Sequence, residues 1–334
     1  MRTSLISPLF LFLIVFLMVF PFASVYGNVR YVEIGIYYGL WFKGDYPTGS
    51  WNPIVIDKPL LGYYNSQNET IITQHIAWFN DLKIDFAMLI WRPSDTFVNQ
   101  TLFDVFDIAM NKTLYTKFTL LVEHIDDWSF SEIYDFAYGL IEMYNPVYYR
   151  FEGKPLILFF FDDALNGGNF PRDDRFTVRV AGSTSYCDWL YENVSPYYGS
   201  GERSRARHVP VIPRFDETHF PIEERPNRYN IDIELKYLYS EEWQYALHLA
   251  RTNSIDVITI SCWNEYAERT AIEPHLDATA INKDPFYLYN LTKDYISELK
   301  GLTDARIVFW YQNPVFFGVI ILGIALGVVI LWKW

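Results

Sequence analysis

Between residues 30 and 300 the chain alternates short apolar runs with longer segments of helical period. Strands are predicted at 31–38, 85–91, 116–123, 155–161, 177–181, 191–197, 208–215 and 255–263. Several, such as DFAMLIW at 85–91, PLILFFF at 155–161 and IDVITISCW at 255–263, are continuous β-branched and aromatic runs. Such runs suit strands covered on both faces, as in a parallel sheet. Helices are predicted near 69–82, 101–112, 130–143, 240–252 and 285–300. The alternation predicts βα units and an α/β fold, an irregular (β/α)8 TIM barrel over 28–303. Segments 163–175 and 199–207 are too short and Gly-rich for full helices. An open doubly wound sheet is the alternative, weakened because no G-x-G-x-x-G follows the first strand.

The two ends carry a different pattern. Arg2, the apolar run 9–20, Pro21 and Val25-Tyr26-Gly27 read as a signal peptide over 1–27, with an uncleaved N-terminal anchor as the other reading. After a spacer at 304–314, VFFGVIILGIALGVVILW at 315–332 has no charged group and the length of a transmembrane helix. Trp310, Tyr311, Trp332 and Trp334 flank it as an aromatic belt, and Lys333 places the tail inside. A single-pass protein of the cell membrane follows, its barrel extracellular. Sequons at Asn68, Asn99, Asn111, Asn193 and Asn290 agree with export, although Asn193 falls in a predicted strand. Cys187 and Cys262 could form one bridge or remain two buried thiols.

The net charge of −13 argues against a nucleic-acid partner, which needs a basic stripe. Aromatic residues make up 19%, which serves core packing or sugar stacking, and composition does not separate these uses. No metal-ligand spacing, G-x-S-x-G elbow or P-loop is present, so neither metal nor cofactor is expected.

Barrel chemistry sits at the C-terminal ends of strands. Those ends carry Tyr37, Tyr38 and Trp41; Trp91; Glu123 and His124; Tyr197; Asp216; and Trp263, Asn264 and Tyr266. All are candidate substrate contacts, with core packing or rim salt bridges as the plainer roles. Directly after the last strand stand Glu265 and Glu268, the candidate catalytic pair. At i and i+3 of a helical turn two carboxylates share a face and can serve one glycosidic bond. A capping and salt-bridge role, with Arg269 as partner, is the alternative.

The stretch ISCWNEYAERTAIEP at 260–274 resembles the W-N-E-W-x-E-G-T-x-I-E-P signature of glycoside hydrolase family 99-like proteins, a group that includes endo-α-mannosidases. IGIYYGLW at 34–41, Trp51-Asn52-Pro53, the segment 59–91 and YYRFEGKPLILFF at 148–160 match further pieces in order. The resemblance implies a metal-independent retaining hydrolase acting on a glycan. It implies that Glu265 takes the proton of the sugar 2-OH, and that Glu268 protonates the leaving oxygen and then activates water. Two positions depart from the signature: Tyr266 stands for tryptophan and Arg269 for glycine. Arg269 could bind an anionic sugar or pair with a carboxylate. IPRFDETHF at 212–220 resembles a branch described as glycosyltransferase-like proteins of polysaccharide clusters. A glycan-transferring enzyme and an inactive carbohydrate-binding surface protein are therefore the competing functions.

Overall fold

The computed structural model describes residues 30–52, 54–112, 114–125, 127–160, 171–182, 187–191, 206–281 and 283–311. Eight parallel strands form a nearly closed barrel: β1 (Glu33–Gly39), β2 (Phe86–Trp91), β3 (Lys117–Val122), β4 (Lys154–Phe160), β5 (Thr177–Gly182), β6 (Trp189–Leu190), β7 (His208–Val211) and β8 (Val257–Ile260). Hydrogen-bonded neighbours run β6-β5-β4-β3-β2-β1-β8-β7, so the first strand lies between the second and the last. The seam between β6 and β7 is spanned by side chains. The His208 ring stacks on Trp189 with centroids 5.0 Å apart, and Ser261 Oγ donates to the Tyr191 carbonyl at 2.6 Å.

Among the described residues five α-helices cover the outside: α1 (Glu69–Leu82), α2 (Thr96–Met110), α3 (Phe130–Tyr144), α4 (Leu238–Arg251) and α5 (Tyr287–Tyr311). Their starts are written in the sequence. The Asn68 side chain accepts from Thr70 N–H, Asp95 accepts from Phe97 and Val98 N–H, and Ser129 with Glu132 forms a capping box. Helices follow β1, β2, β3, β7 and β8. Among the described residues none follows β4, β5 or β6, and most of 163–175 and 199–207 lies outside them. The sixth strand differs from expectation: it is Trp189–Leu190 rather than 191–197, and 192–197 fall outside the described residues.

Alternation along β1 explains why the parallel strands read as unbroken apolar runs. Ile34, Ile36 and Tyr38 face the helix layer, whereas Tyr37 faces the barrel interior with Phe86, Met88, Leu156 and Trp189. Gly35 is required there, since a Cβ on it would lie 2.5 Å from the Phe86 ring. Trp51, Trp91, Trp189, Trp243 and Trp263 are fully buried. Much of the aromatic content is therefore core, each such ring burying roughly 150–250 Å². Cys187 and Cys262 are both buried and unbridged.

Two antiparallel pairs, Lys58–Pro59 with His275–Leu276 and Phe215–Asp216 with Asn230–Ile231, dress the loops beyond the strand ends. Among the described residues no helix is long and apolar enough to cross a membrane. The apolar runs at 1–27 and 315–332 lie outside the described residues.

Candidate active site

The carboxylate-bearing turn is built directly off β8. Trp263 N–H donates to the Tyr37 carbonyl at 2.8 Å, and its ring packs between Phe79 and His75 of α1. Asn264 stitches the turn to the end of β1: its Oδ1 accepts from Gly39 N–H at 2.8 Å and its Nδ2 donates to the Gly39 carbonyl at 2.9 Å. From there the chain closes a compact turn, with Arg269 N–H on the Tyr266 carbonyl at 3.3 Å and Thr270 N–H on the Glu265 carbonyl at 3.0 Å. Glu265 Oε1 accepts from Ala267 N–H at 2.9 Å, which fixes its side chain against the turn.

Burial raises the Glu265 carboxyl to about 7, with the charge of Glu123 adding to the shift; the Ala267 and Glu268 N–H groups and Arg92 oppose it. Glu268, partly buried, meets Arg225 Nη2 at 3.5 Å. The Tyr191 hydroxyl and Cys262 thiol lie 3.2 Å apart. Both titrate higher because of burial first, and both are also raised by the charges of Glu265 and Glu268. Two carboxylates acting on the same two groups converge on one region at the end of β8.

Beside them stands a second charged pair. Arg92 Nε donates to Glu123 Oε2 at 2.7 Å, and the guanidinium lies 4.7 Å over the Trp41 ring. Gly39 makes room for that ring, since a Cβ would meet it at 2.7 Å. A cleft of about 440 Å³ opens next to this pair, lined by Arg92, Ser94, Asp95, Thr96 and His124.

The remaining candidates are placed as follows. Tyr38 bonds His75 Nδ1 at 2.9 Å in the helix layer. Trp91 donates to Asn99 Oδ1 at 2.6 Å and stacks on Phe136. Tyr266 is buried against Phe42 and Trp51, its hydroxyl donating to Glu273 at 3.0 Å. Trp263 and Asn264 support the turn as described above. Tyr37 is inside the barrel, 4.9 Å from the Tyr191 ring. Tyr197 lies outside the described residues. Sequence reasoning passed over Tyr191 and Arg225, whose surroundings in sequence carry no motif, and gave no role to Arg92 at the end of β2.

Arg269 does not face the mouth. Its side chain is fully buried and pairs with Asp57 at 2.8 Å, Asp216 at 2.9 Å and Asp277 at 3.2 Å. Arg214, also buried, holds Asp57 at 2.9 Å and bonds Asp277. The backbone of Arg269 has φ of 58°, a conformation that favours glycine, the residue of the family signature at this position. Asp57, His275 and Asp277 place potential metal-ligand atoms within 4.8 Å of one another. The two guanidiniums already neutralise these carboxylates, so a divalent cation there would have to displace both.

No family model matches the chain, and no curated protein matches it. Solved structures do. They share the (β/α)8 barrel architecture. The glycoside hydrolase family 99 endo-α-mannosidase from Bacteroides thetaiotaomicron superposes with a TM-score of 0.64 at 16% identity, over 81% of this chain and 98% of that one. Its complex with bis-tris-propane gives 0.63 at 16% identity, over 82% and 98%. A glycoside hydrolase-like protein gives 0.55 at 15% identity, over 83% and 96%.

Proposed function

We propose that the chain is a retaining, endo-acting glycoside hydrolase of α-mannosidase type, with Glu265 and Glu268 as its catalytic residues. The observation that carries this reading is the turn after β8, which carries both carboxylates and where Glu265 is raised to about 7. A base is most effective with a pKa near the working pH. Glu265 accepts the proton of the sugar 2-OH as that oxygen attacks the anomeric carbon. Glu268 donates a proton to the departing glycosidic oxygen as the C–O bond breaks. Water then gives its proton to Glu268 and attacks the anomeric carbon, the 1,2-anhydro ring opens, and Glu265 returns the proton to O2. Two inversions leave the configuration retained.

The exposed half of Arg225 makes its pair with Glu268 worth about 1 kcal/mol or less, so substrate can open it. The burial of Arg269 among aspartates supports activity, because the arginine at the signature's glycine position does not fill the mouth. Trp41, backed by Arg92, offers the partly exposed ring for a sugar face. The reading extends to export through 1–27 and anchoring through 315–332. The latter begins four residues after Tyr311, the last described residue of α5, and so anchors the barrel close to the outer membrane face.

Incubation of the protein and of Glu268→Ala with a labelled oligo-α-mannoside tests this. Internal cleavage with an α-configured new reducing end, lost in the variant, is expected. Sugar binding without turnover would sink the assignment, and product formed only with an acceptor sugar would replace hydrolysis by transfer.

A further inference from the structure

Three consecutive carbonyls of the catalytic turn are held from one neighbouring segment. His219 Nε2 donates to the Ala267 carbonyl at 2.7 Å. Asp216 N–H donates to the Glu268 carbonyl at 3.0 Å. Arg214 Nε donates to the Arg269 carbonyl at 2.8 Å. The hold is reciprocal, since Arg269 Nη1 reaches back to Asp216 Oδ2 at 2.9 Å. The segment is itself braced. Arg214 is tied to Asp57 and Asp277, Asp216 pairs in a ribbon with Asn230, and Thr218 N–H and Oγ1 bond Asp216 Oδ1 at 3.0 and 2.6 Å.

We propose that 214–219 is a positioning clamp for the proposed hydrolase, in which Arg214, Asp216 and His219 set how Glu265 and Glu268 stand relative to each other. None of the three needs to touch substrate. Tyr266 and Arg269 anchor the turn by their side chains, but its backbone at Ala267 and Glu268 is held through these carbonyls, and a shift of about 1 Å in a catalytic group costs roughly a hundredfold. Donors anchored to a buried charge cluster remove that freedom. The inference rests on the hydrolase reading for its kinetic consequence but not for its geometry.

Glu265 reports the clamp directly. It is faced by Glu123 and Arg92 from the ends of β3 and β2, by Glu268 on its own turn, and by Tyr191 and Cys262 from the seam. Burial is the main cause of its raised value, so a loosened turn that admits water lowers it. The full-length protein in detergent, labelled with carboxyl-13C glutamate, gives the Glu265 midpoint by NMR, the resonance being assigned by its loss in Glu265→Gln. His219→Asn is too short to reach the Ala267 carbonyl, whereas His219→Gln places a donor where Nε2 stands. His219→Asn is expected to lower the midpoint by half a pH unit or more and kcat on the oligo-α-mannoside by about tenfold with KM little changed. His219→Gln should keep both within about twofold. Arg214→Lys keeps a positive charge beside Asp57 and Asp277 but loses the Nε donor, and it should shift the midpoint in the same direction; it serves if His219→Asn does not fold. An unchanged midpoint in the variants, or equal losses in His219→Asn and His219→Gln, overturns the clamp. A wild type that cleaves no α-mannoside sinks the hydrolase reading instead and leaves the midpoint comparison to decide the clamp.

Discussion

Arg269→Gly installs the glycine of the signature that the turn resembles and tests what the buried charge cluster contributes. The backbone argues for the substitution. At φ 58° a non-glycine residue carries strain of about 1–2 kcal/mol, which glycine relieves. Glycine also gives the unfolded chain more freedom, worth roughly 0.4–1 kcal/mol in the other direction, so the two effects nearly cancel. The electrostatics decide. Two guanidiniums, Arg214 and Arg269, face three carboxylates, Asp57, Asp216 and Asp277. Removing Arg269 leaves one against three and takes from Asp216 its guanidinium partner. Breaking a buried pair on one side costs about 3–5 kcal/mol. The net destabilisation is about 3 kcal/mol, or a melting temperature lower by roughly 6–12 °C in a domain of this size.

The sign of the pH response is a second check. In the wild type Asp216 is lowered: burial opposes this, but Thr218 and the Arg269 guanidinium outweigh it. Asp277 is also lowered against burial, by His275 and Arg214. Depressed carboxylates contribute stability above their unfolded value, near 4, and lose it as the pH falls through the folded value. In Arg269→Gly the Asp216 carboxyl loses the lowering effect of its guanidinium and its folded value rises, so the variant loses less stability than the wild type as the pH falls. Urea titrations at pH 7 and about pH 4 should therefore show the gap between the proteins narrowing at the lower pH. Adding Asp216→Asn to Arg269→Gly should recover part of the loss. A single variant as stable as the wild type at pH 7 would refute the reasoning.

Other consequences can be checked alongside. The pH profile of kcat/KM should rise through a limb near 7 as Glu265 loses its proton, and Glu265→Gln should abolish that limb while cutting kcat by about 10²–10⁴; a limb that persists removes Glu265 from the base role. His208 is buried and lowered to about 3, so the unfolded chain takes a proton that the folded one refuses. Stability is then full above about 6.5 and falls by about 1.4 kcal/mol per pH unit toward 3, a slope that His208→Gln should flatten in urea titrations. Peptide mapping of protein produced in glycosylating cells should find glycan on Asn290, which is exposed on α5. It should find none on Asn99, whose amide already accepts from Trp91 and donates to the Pro93 carbonyl; occupancy at Asn99 would contradict the described packing.

Helix α1 spans the residues its period predicts, because Asn68 and the left-handed Lys83 mark both ends chemically. Helix α2 begins at Thr96 rather than 101, since the Asp95 cap outweighs the periodicity of the residues that follow. The strand predicted at 208–215 stops at Val211, and the residues beyond it turn away so that Arg214 reaches the charge cluster. The Glu265–Glu268 turn was legible from spacing and motif. The rim aromatics were not, because Tyr37 and Tyr38 are adjacent in sequence yet face opposite sides of the sheet. Asp57 and Asp277 carried no signal at all. Asp57 meets Arg269 across 212 residues, and no local period encodes such a pairing.

Placing β1 between β2 and β8 has a consequence for synthesis. One edge of β1 stays unpaired until Val257–Ile260 leaves the ribosome, about 220 residues later. At roughly 5–20 residues per second that wait is about 10–40 s. Throughout it a nascent apolar strand stands ready to pair with the wrong chain, so the growing polypeptide is a natural client for a holding chaperone until its last strand arrives.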